Sequence, residues 1–353
     1  MIERTRELQI EDVAFGGNGV ARADGKAVFI PYTIDGEKVS ARITREKKKF
    51  AEAELKAVLE PSPHRVTPEC PYFGRCGGCS YQHIRYEHQL ELKRRQVAET
   101  LRRIGKISEI STQPMVPSPQ SYSYRNRITV HCDNGVVGFY RRDEHKLLDI
   151  ETCPISKAEV NEALRRLRAS HPRDGHYTLR AKSGSPVFSQ TNDGVAEQLH
   201  EHVSTLVPDG GALLVDAYCG AGFFAKHLVE KFDCVIGIDW DQFAIAQAKK
   251  NATPKESYIA GDVDVELNNL VISGGAFTLI ADPPATGLTT QICESIIRLA
   301  PAILIYISCN PATLARDLKQ LSADFQIESV TPFDMFPQTA EIEVAVKLIA
   351  RPR

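Results

Sequence analysis

Residues 303–317 read Ile303-Leu-Ile-Tyr-Ile-Ser-Cys-Asn-Pro-Ala-Thr-Leu-Ala-Arg-Asp317. The apolar run Ile303–Ile307 predicts a buried strand. Pro311 ends it, because proline has no N–H to donate to a neighbouring strand. Thr313 to Asp317 then opens a helix. Cys309 therefore falls at the C-terminal tip of a strand and beside a helix N-terminus. Open α/β sheets bind ligands at that edge, and the helix dipole there favours a thiolate. A small cysteine packed inside the fold satisfies the same stretch equally well, so the surrounding chain has to decide.

Upstream, Ala212 to Phe223 runs as an apolar strand into Cys219-Gly220-Ala221-Gly222 and a helix. Glycines at that turn let the backbone approach a ligand. Cys234 to Asp239 is a second strand ending in a carboxylate that can accept from both hydroxyls of a ribose. Tyr258 to Asp262 is a third strand with an acid at its tip. Phe277 to Asp282 is a fourth, ending in Asp282-Pro283-Pro284. A dinucleotide-binding oxidoreductase shares the first two features. The glycine loop lacks the full G-x-G-x-x-G, however, and the third and fourth strands end in Asp262 and Asp282. This series resembles a class I S-adenosylmethionine-dependent methyltransferase. Downstream, Ile327 to Val330 and Glu343 to Ile349 predict a terminal antiparallel pair. Between them stands Asp334-Met-Phe-Pro-Gln-Thr-Ala-Glu-Ile-Glu343.

Cys70-Pro-Tyr-Phe-Gly-Arg-Cys76-Gly-Gly-Cys79 is the second focus. It sets three thiols on one glycine-rich loop, able to wrap closely round an inorganic centre. A closed tetrahedral set needs a fourth ligand. Cys153, in Thr152-Cys153-Pro154, is the first choice and Cys132 the second. Zinc and a [4Fe–4S] cluster both accept four cysteines, and the spacing does not separate them. Nearby, Ile84 to Ile104 predicts a charged helix. Tyr124–Val130 and Val136–Arg142 predict a hairpin across Asp133-Asn134-Gly135, which gathers Arg125, Arg127, Arg141 and Arg142.

Residues 8–58 alternate in short segments broken by Gly16-Gly17-Asn18-Gly19 and Asp35-Gly36, the pattern of a small barrel. Arg42, Arg45, Lys47, Lys48 and Lys49, with Tyr32 and Phe50 nearby, offer a basic, aromatic surface suited to a phosphate backbone. The order of residues 11–22 and 28–31 resembles the TRAM domain, an OB-like RNA-binding module.

Taken together, the barrel, the cysteine frame, residues 303–317 and residues 331–348 resemble the iron–sulfur subgroup of the RNA uracil-5-methyltransferases. The resemblance implies an α/β chain of three parts: an N-terminal OB-like TRAM β-barrel (1–60), a central α+β iron–sulfur domain (61–205) and a C-terminal Rossmann-like class I methyltransferase domain (206–353). It implies a [4Fe–4S] cluster on Cys70, Cys76, Cys79 and Cys153. It implies Cys309 as nucleophile, Glu343 as general base and Asp282 beside the target uracil. For S-adenosylmethionine it implies Gln190, Tyr218, Gly220, Gly222, Asp239, Asp262 and Asp282. The expected substrate is 23S ribosomal RNA, with transfer RNA as the alternative. An RNA-binding assembly factor without turnover is the alternative of another class. Three positions depart from the family pattern: Ala285 where an Arg is usual, Phe223 where an Asn is usual, and Glu341 where a His is usual. Of Glu341 and Glu343 only one can face Cys309, and register with the family selects Glu343.

Composition agrees with a globular chain. There are 353 residues with a formal net charge of −2, so RNA binding has to rest on local patches rather than on a globally basic surface. Nine cysteines, several tightly clustered, point to metal or catalysis in a chain whose first residues lack the apolar core of a signal peptide. No apolar run approaches a membrane span. A cytoplasmic monomer is expected.

Overall fold

The structure, a computed structural model, describes residues 5–107, 111–142, 144–181, 190–272 and 275–352. Val187, Phe188 and Ser189, which lead into Gln190, lie outside the described residues. The chain forms two compact units.

The first unit comprises residues 1–96, 119–182 and 336–341. It opens with a closed barrel of β1 (Thr5–Val13), β2 (Asn18–Ala23), β3 (Lys26–Pro31), β4 (Lys38–Glu46) and β5 (Phe50–Glu60), in the order β1-β2-β3-β5-β4. Every second side chain points inward, so Leu8, Ile10, Ala21, Val28, Ile30, Val39, Ala41, Ala51 and Ala53 fill it. Helix α1 (Tyr86–Thr100) follows. A four-stranded antiparallel sheet then forms in the order β8-β7-β6-β9. Its strands are β6 (Arg127–Asp133), β7 (Val136–Tyr140), β8 (Leu147–Asp149) and β9 (Gly175–Arg180). The β6–β7 turn uses Asn134 and Gly135, both at positive φ, as a tight hairpin requires. Ile128, Val130 and Cys132 of β6 pack with Val160 and Leu164 of α2 (Ala158–Ala169).

The second unit comprises residues 97–118, 183–335 and 342–353. After α3 (Asp193–Leu206) come β10 (Gly211–Ala217), α4 (Phe223–Leu228), β11 (Phe232–Asp239), α5 (Gln242–Lys250), β12 (Glu256–Ala260) and α6 (Val263–Asn269). The chain continues through β13 (Thr278–Ala281), α7 (Thr290–Leu299), β14 (Ile303–Ser308), α8 (Pro311–Leu321), β15 (Phe325–Phe333) and β16 (Glu343–Ala350). The sheet order is β12-β11-β10-β13-β14-β16-β15, with β10 to β14 parallel and the last two strands antiparallel. Strands buried on both faces explain the unbroken apolar runs: Leu304, Ile305, Tyr306 and Ile307 are fully buried. The winding reverses between β10 and β13, and a ligand crevice opens at such a switch point, at the carboxyl ends of the strands. No helix among the described residues is long and apolar enough to cross a membrane.

Candidate active site

Cys309 follows the last residue of β14 and precedes Asn310, whose side chain caps α8 by accepting from the Ala312 amide at 3.0 Å. β14 and β16 pair antiparallel from Ile303 opposite Ile349 to Ser308 opposite Val344. Cys309 directly follows Ser308 and Glu343 directly precedes Val344, so the two lie at the same end of this ladder. Glu343 is 3% exposed and is the first residue of β16. Glu341 is exposed and precedes the strand, so the two carboxylates do not share a strand.

Asp282 follows β13, and its amide donates to the Ala217 carbonyl at 3.3 Å. Removal of its carboxyl from water pushes its pKa up to about 7. The loop beyond it turns back toward α8. The Ala285 carbonyl accepts from Asn310 Nδ2 at 3.2 Å and from Thr313 Oγ1 at 3.1 Å. At this position of the missing arginine the loop is therefore held through its backbone.

The turn after β10 carries Tyr218, Gly220 and Gly222, all at positive φ. A Cβ on Gly222 would stand 2.9 Å from the Tyr258 hydroxyl, so glycine keeps this cradle open. Asp239, at the end of β11, accepts from the Gly220 amide through Oδ2 and from the Asp241 amide through Oδ1, both at 2.8 Å. Each oxygen retains acceptor capacity for a ribose hydroxyl. Asp262 caps α6, accepting from the Asp264 amide at 2.9 Å. Burial, reinforced by Asp264 and Asp262, pushes the Tyr218 phenol up. Gln190 is buried and borders a groove of about 410 Å³ with Phe223, His200 and His227. The Phe223 ring packs against His200 at 3.9 Å between centroids. Tyr218, Asp239, Asp262, Asp282, Cys309 and Glu343 thus all belong to one edge of the sheet, the carboxyl ends of its parallel strands.

Two features escaped the sequence reading. Asp216 is fully buried inside β10, with Oδ2 accepting from the Ala225 amide at 2.9 Å. Burial, with Asp282 and Asp239 adding repulsion, pushes it up to about 8. Its signal was an acid within the run Leu214–Ala217. The second is the trio Tyr306, Arg316 and Asp317, a polar cluster on elements otherwise read by their apolar residues.

In the first unit, Cys70, Cys76, Cys79 and Cys153 line one cavity of about 520 Å³, together with Arg125, Arg141, Arg142 and Glu341. Cys132 is not among them. It faces the core, with its thiol 3.4 Å from the Pro172 carbonyl. The Gly77 amide donates to the Tyr140 carbonyl at 3.1 Å and the Gly78 amide to the Cys76 sulfur at 3.4 Å. Burial pushes the thiols of Cys70 and Cys76 up and that of Cys79 up to about 12, and neighbouring thiolates add to each shift. Among the described residues no group of three or more His, Cys, Asp or Glu side chains is placed to hold a metal ion. On the barrel, Arg42 is paired with Glu54 at 2.6 Å, while Lys47, Lys48 and Lys49 stand exposed at the β4–β5 tip. Arg142 lies over the Tyr32 ring at 4.8 Å.

Residues 263–351 match the family described as tRNA (Uracil-5-)-methyltransferase, and residues 1–56 match the TRAM domain. A protein of Bdellovibrio bacteriovorus named as an uncharacterized RNA methyltransferase is 32% identical over 371 residues, covering 97% of this chain and 94% of that relative. One of the same description from Protochlamydia amoebophila is 30% identical, covering 97% of each. The crystal structure of Pyrococcus abyssi tRNA (uracil-54, C5)-methyltransferase in complex with S-adenosyl-L-homocysteine superposes with a TM-score of 0.75 at 25% identity, over 98% of this chain and 100% of that one. The chain belongs to the S-adenosylmethionine-dependent RNA uracil-5-methyltransferases that carry a TRAM domain.

Proposed function

We propose that this protein methylates C5 of a uridine in 23S ribosomal RNA, with Cys309 as nucleophile and Glu343 as the base that removes the C5 proton. The observation that supports this reading is the β14–β16 register, whose last pair is Ser308 and Val344, so that Cys309 and Glu343 flank the same end of the ladder. C5 of uracil is a weak nucleophile. Addition of the Cys309 thiolate at C6 generates an enolate and makes C5 nucleophilic. S-adenosylmethionine, when bound, supplies the methyl group from its sulfonium. C5 then carries both the methyl and a proton. Glu343 takes that proton, the C5–C6 double bond re-forms, and the Cys309 sulfur leaves C6. Asp282, as a carboxylate, accepts from the uracil N3–H and orients the ring. Gln190, Tyr218, Gly220, Gly222, Asp239 and Asp262 form the donor site in this reading. A uracil inside a stem has to be flipped or already unstacked to reach Cys309.

The four-cysteine cavity suits a [4Fe–4S] cluster on Cys70, Cys76, Cys79 and Cys153. A cluster takes one thiolate per iron and would pin this central part of the chain without entering the methyl transfer. The TRAM barrel favours a large structured RNA. Transfer RNA is the second reading, supported by the substrate in the name of the Pyrococcus protein. We place the enzyme in the cytoplasm as a monomer.

Nucleoside mass spectrometry tests the reading. Large-subunit and transfer RNA are separated from cells with the wild-type protein, with Cys309→Ala, and with none. Loss of 5-methyluridine from large-subunit RNA in both deficient cells is expected. Loss from transfer RNA alone selects the second substrate, and no change in either sinks the assignment.

A further inference from the structure

We propose that Arg316, Asp317 and Tyr306 are positioning residues that lock the loop following Asp282 against the turn that carries Cys309. The inference rests on the methyltransferase reading above and names residues that reading leaves idle. Asp317 lies on α8, Tyr306 lies on β14, and both are fully buried. Asp317 Oδ2 accepts from the Tyr306 hydroxyl at 2.7 Å and from the Leu288 amide at 2.8 Å, while Oδ1 accepts from Arg316 Nε at 2.7 Å. The same guanidinium reaches outward and donates to the carbonyls of Thr286 at 2.9 Å and Leu288 at 3.0 Å. Asn310 and Thr313 hold Ala285 from the first turn of the same helix. The loop is therefore gripped at Ala285, Thr286 and Leu288 by one helix, whose cap residue directly follows Cys309.

Gly287 sits at φ +75, and its amide closes a turn onto the Pro284 carbonyl at 2.8 Å. Any Cβ there would run into the Asp317 carboxylate and the Arg316 guanidinium. The loop is thus packed directly on the ion pair. An ion pair between a buried carboxylate and a half-exposed guanidinium is weak evidence for stability, because the exposed partner is screened by water. Its usefulness here is geometric. A planar fork with fixed N–H directions spans a buried carboxylate on one side and two carbonyls, two residues apart, on the other, which a lysine ammonium does not reproduce. Asp282 leaves β13 at one end of this loop, and Cys309 leaves β14 at the start of the gripping helix. The lock sets the distance between the group that orients the uracil and the group that attacks it, and misplacement by about 1 Å costs on the order of 100-fold in rate.

The test compares wild type with Arg316→Ala, Arg316→Lys and Tyr306→Phe, in turnover and in trapping. The trap is substrate RNA carrying 5-fluorouridine at the methylated position. Cys309 adds to C6 and C5 takes the methyl, but C5 then holds fluorine instead of a removable proton. The sulfur–C6 bond persists, and the adduct is seen on a denaturing gel. Arg316→Ala is expected to lower kcat and the adduct rate together by roughly 30-fold, with KM for RNA within about twofold, as for loss of orientation rather than of binding. Arg316→Lys is expected to fail to restore either, and Tyr306→Phe to give a smaller loss. The proposal is overturned by a folded Arg316→Ala with unchanged kcat, or by a rate that Lys restores fully. A wild type that forms neither 5-methyluridine nor adduct on any RNA is a failure of the functional reading instead. Hydrogen exchange then decides the lock separately: faster exchange across residues 283–289 in Arg316→Ala at unchanged melting temperature supports it, and unchanged exchange overturns it.

Discussion

Ser308 pairs with Val344 across the antiparallel ladder of β14 and β16, which brings the residues just beyond them, Cys309 and Glu343, to the same end of the ladder. A slip by one residue would turn the neighbouring side chains to the opposite face. Val344, Ala345, Val346 and Leu348 are all fully buried along β16, so this end of the ladder lies inside the fold on both faces.

Glu343→Gln should separate the two halves of the reaction. The thiol can still add and C5 can still take the methyl, but the C5 proton has no base. A covalent protein–RNA complex should accumulate and survive denaturation, while free 5-methyluridine falls at least about 100-fold, at the lower end of the contribution expected of a general base. Adding Cys309→Ala should abolish the complex. A Glu343→Gln enzyme that turns over normally would remove Glu343 from the mechanism.

Two carboxyls make the protein pH-sensitive. Asp216 is raised to about 8 and Asp282 to about 7, whereas an unfolded chain releases those protons near about 3.9. Between these values the folded form binds more protons, so stability falls as pH rises from about 4 to about 8. Asp216→Asn keeps an acceptor for the Ala225 amide and removes one of the charges. Its melting temperature should exceed that of wild type at pH 8 by several degrees, and the gap should close toward pH 5. Catalysis has the opposite slope. Asp282 accepts from N3–H most strongly when ionised, so kcat should rise through about pH 7, and Asp282→Asn should lower it and flatten the profile.

The cysteine cavity predicts which thiols carry iron. Protein purified without oxygen should be brown, with iron and acid-labile sulfide in equal amounts. Cys153→Ser and Cys79→Ser should lose both, whereas Cys132→Ser should keep them, because that thiol packs in the core. Colourless protein holding zinc on four thiolates would replace the cluster with a mononuclear site.

Gln89 predicts a stability effect within the first unit. Its amide nitrogen donates to Gln338 Oε1 at 3.0 Å and to the Tyr81 and Ile84 carbonyls, and its oxygen accepts from the Gln338 amide at 3.1 Å. Gln338 itself is held at φ +68. Gln89→Ala strips buried partners from the stretch 336–341 and should cost about 1–3 kcal/mol in denaturant unfolding. A change under about 0.5 kcal/mol would mean that water replaces the amide without penalty.

Gly222→Ala tests the donor cradle. The backbone conformation at φ +87 is strained for any L side chain, and the new methyl meets Tyr258 and Lys226. The loss should be about 1–2 kcal/mol in stability, together with weaker binding of S-adenosyl-L-homocysteine by calorimetry. Unchanged affinity would separate this turn from the donor site.

Features that depend on neighbours within a few residues could be read directly from the order of amino acids. Apolar runs ending in Asp239, Asp282 or Ser308-Cys309-Asn310-Pro311 mark strand tips, because proline and polar caps stop a strand and start a helix locally. Cys70, Cys76 and Cys79 were legible for the same reason, since their glycines and spacing lie on one loop. The long charged helix was legible in kind but not in extent: α1 ends at Thr100 and the chain continues as a π-turn over Leu101–Gly105. What joins distant segments was decided only by tertiary structure. Cys153 rather than Cys132 faces the cavity because β6 buries its even-numbered residues against α2. Glu343 rather than Glu341 enters the sheet because β16 begins there, in a pairing with β14 and β15 that no local preference encodes. The partners of Asp317 lie on a loop, a strand and its own helix, and only the burial of that carboxylate made their convergence necessary.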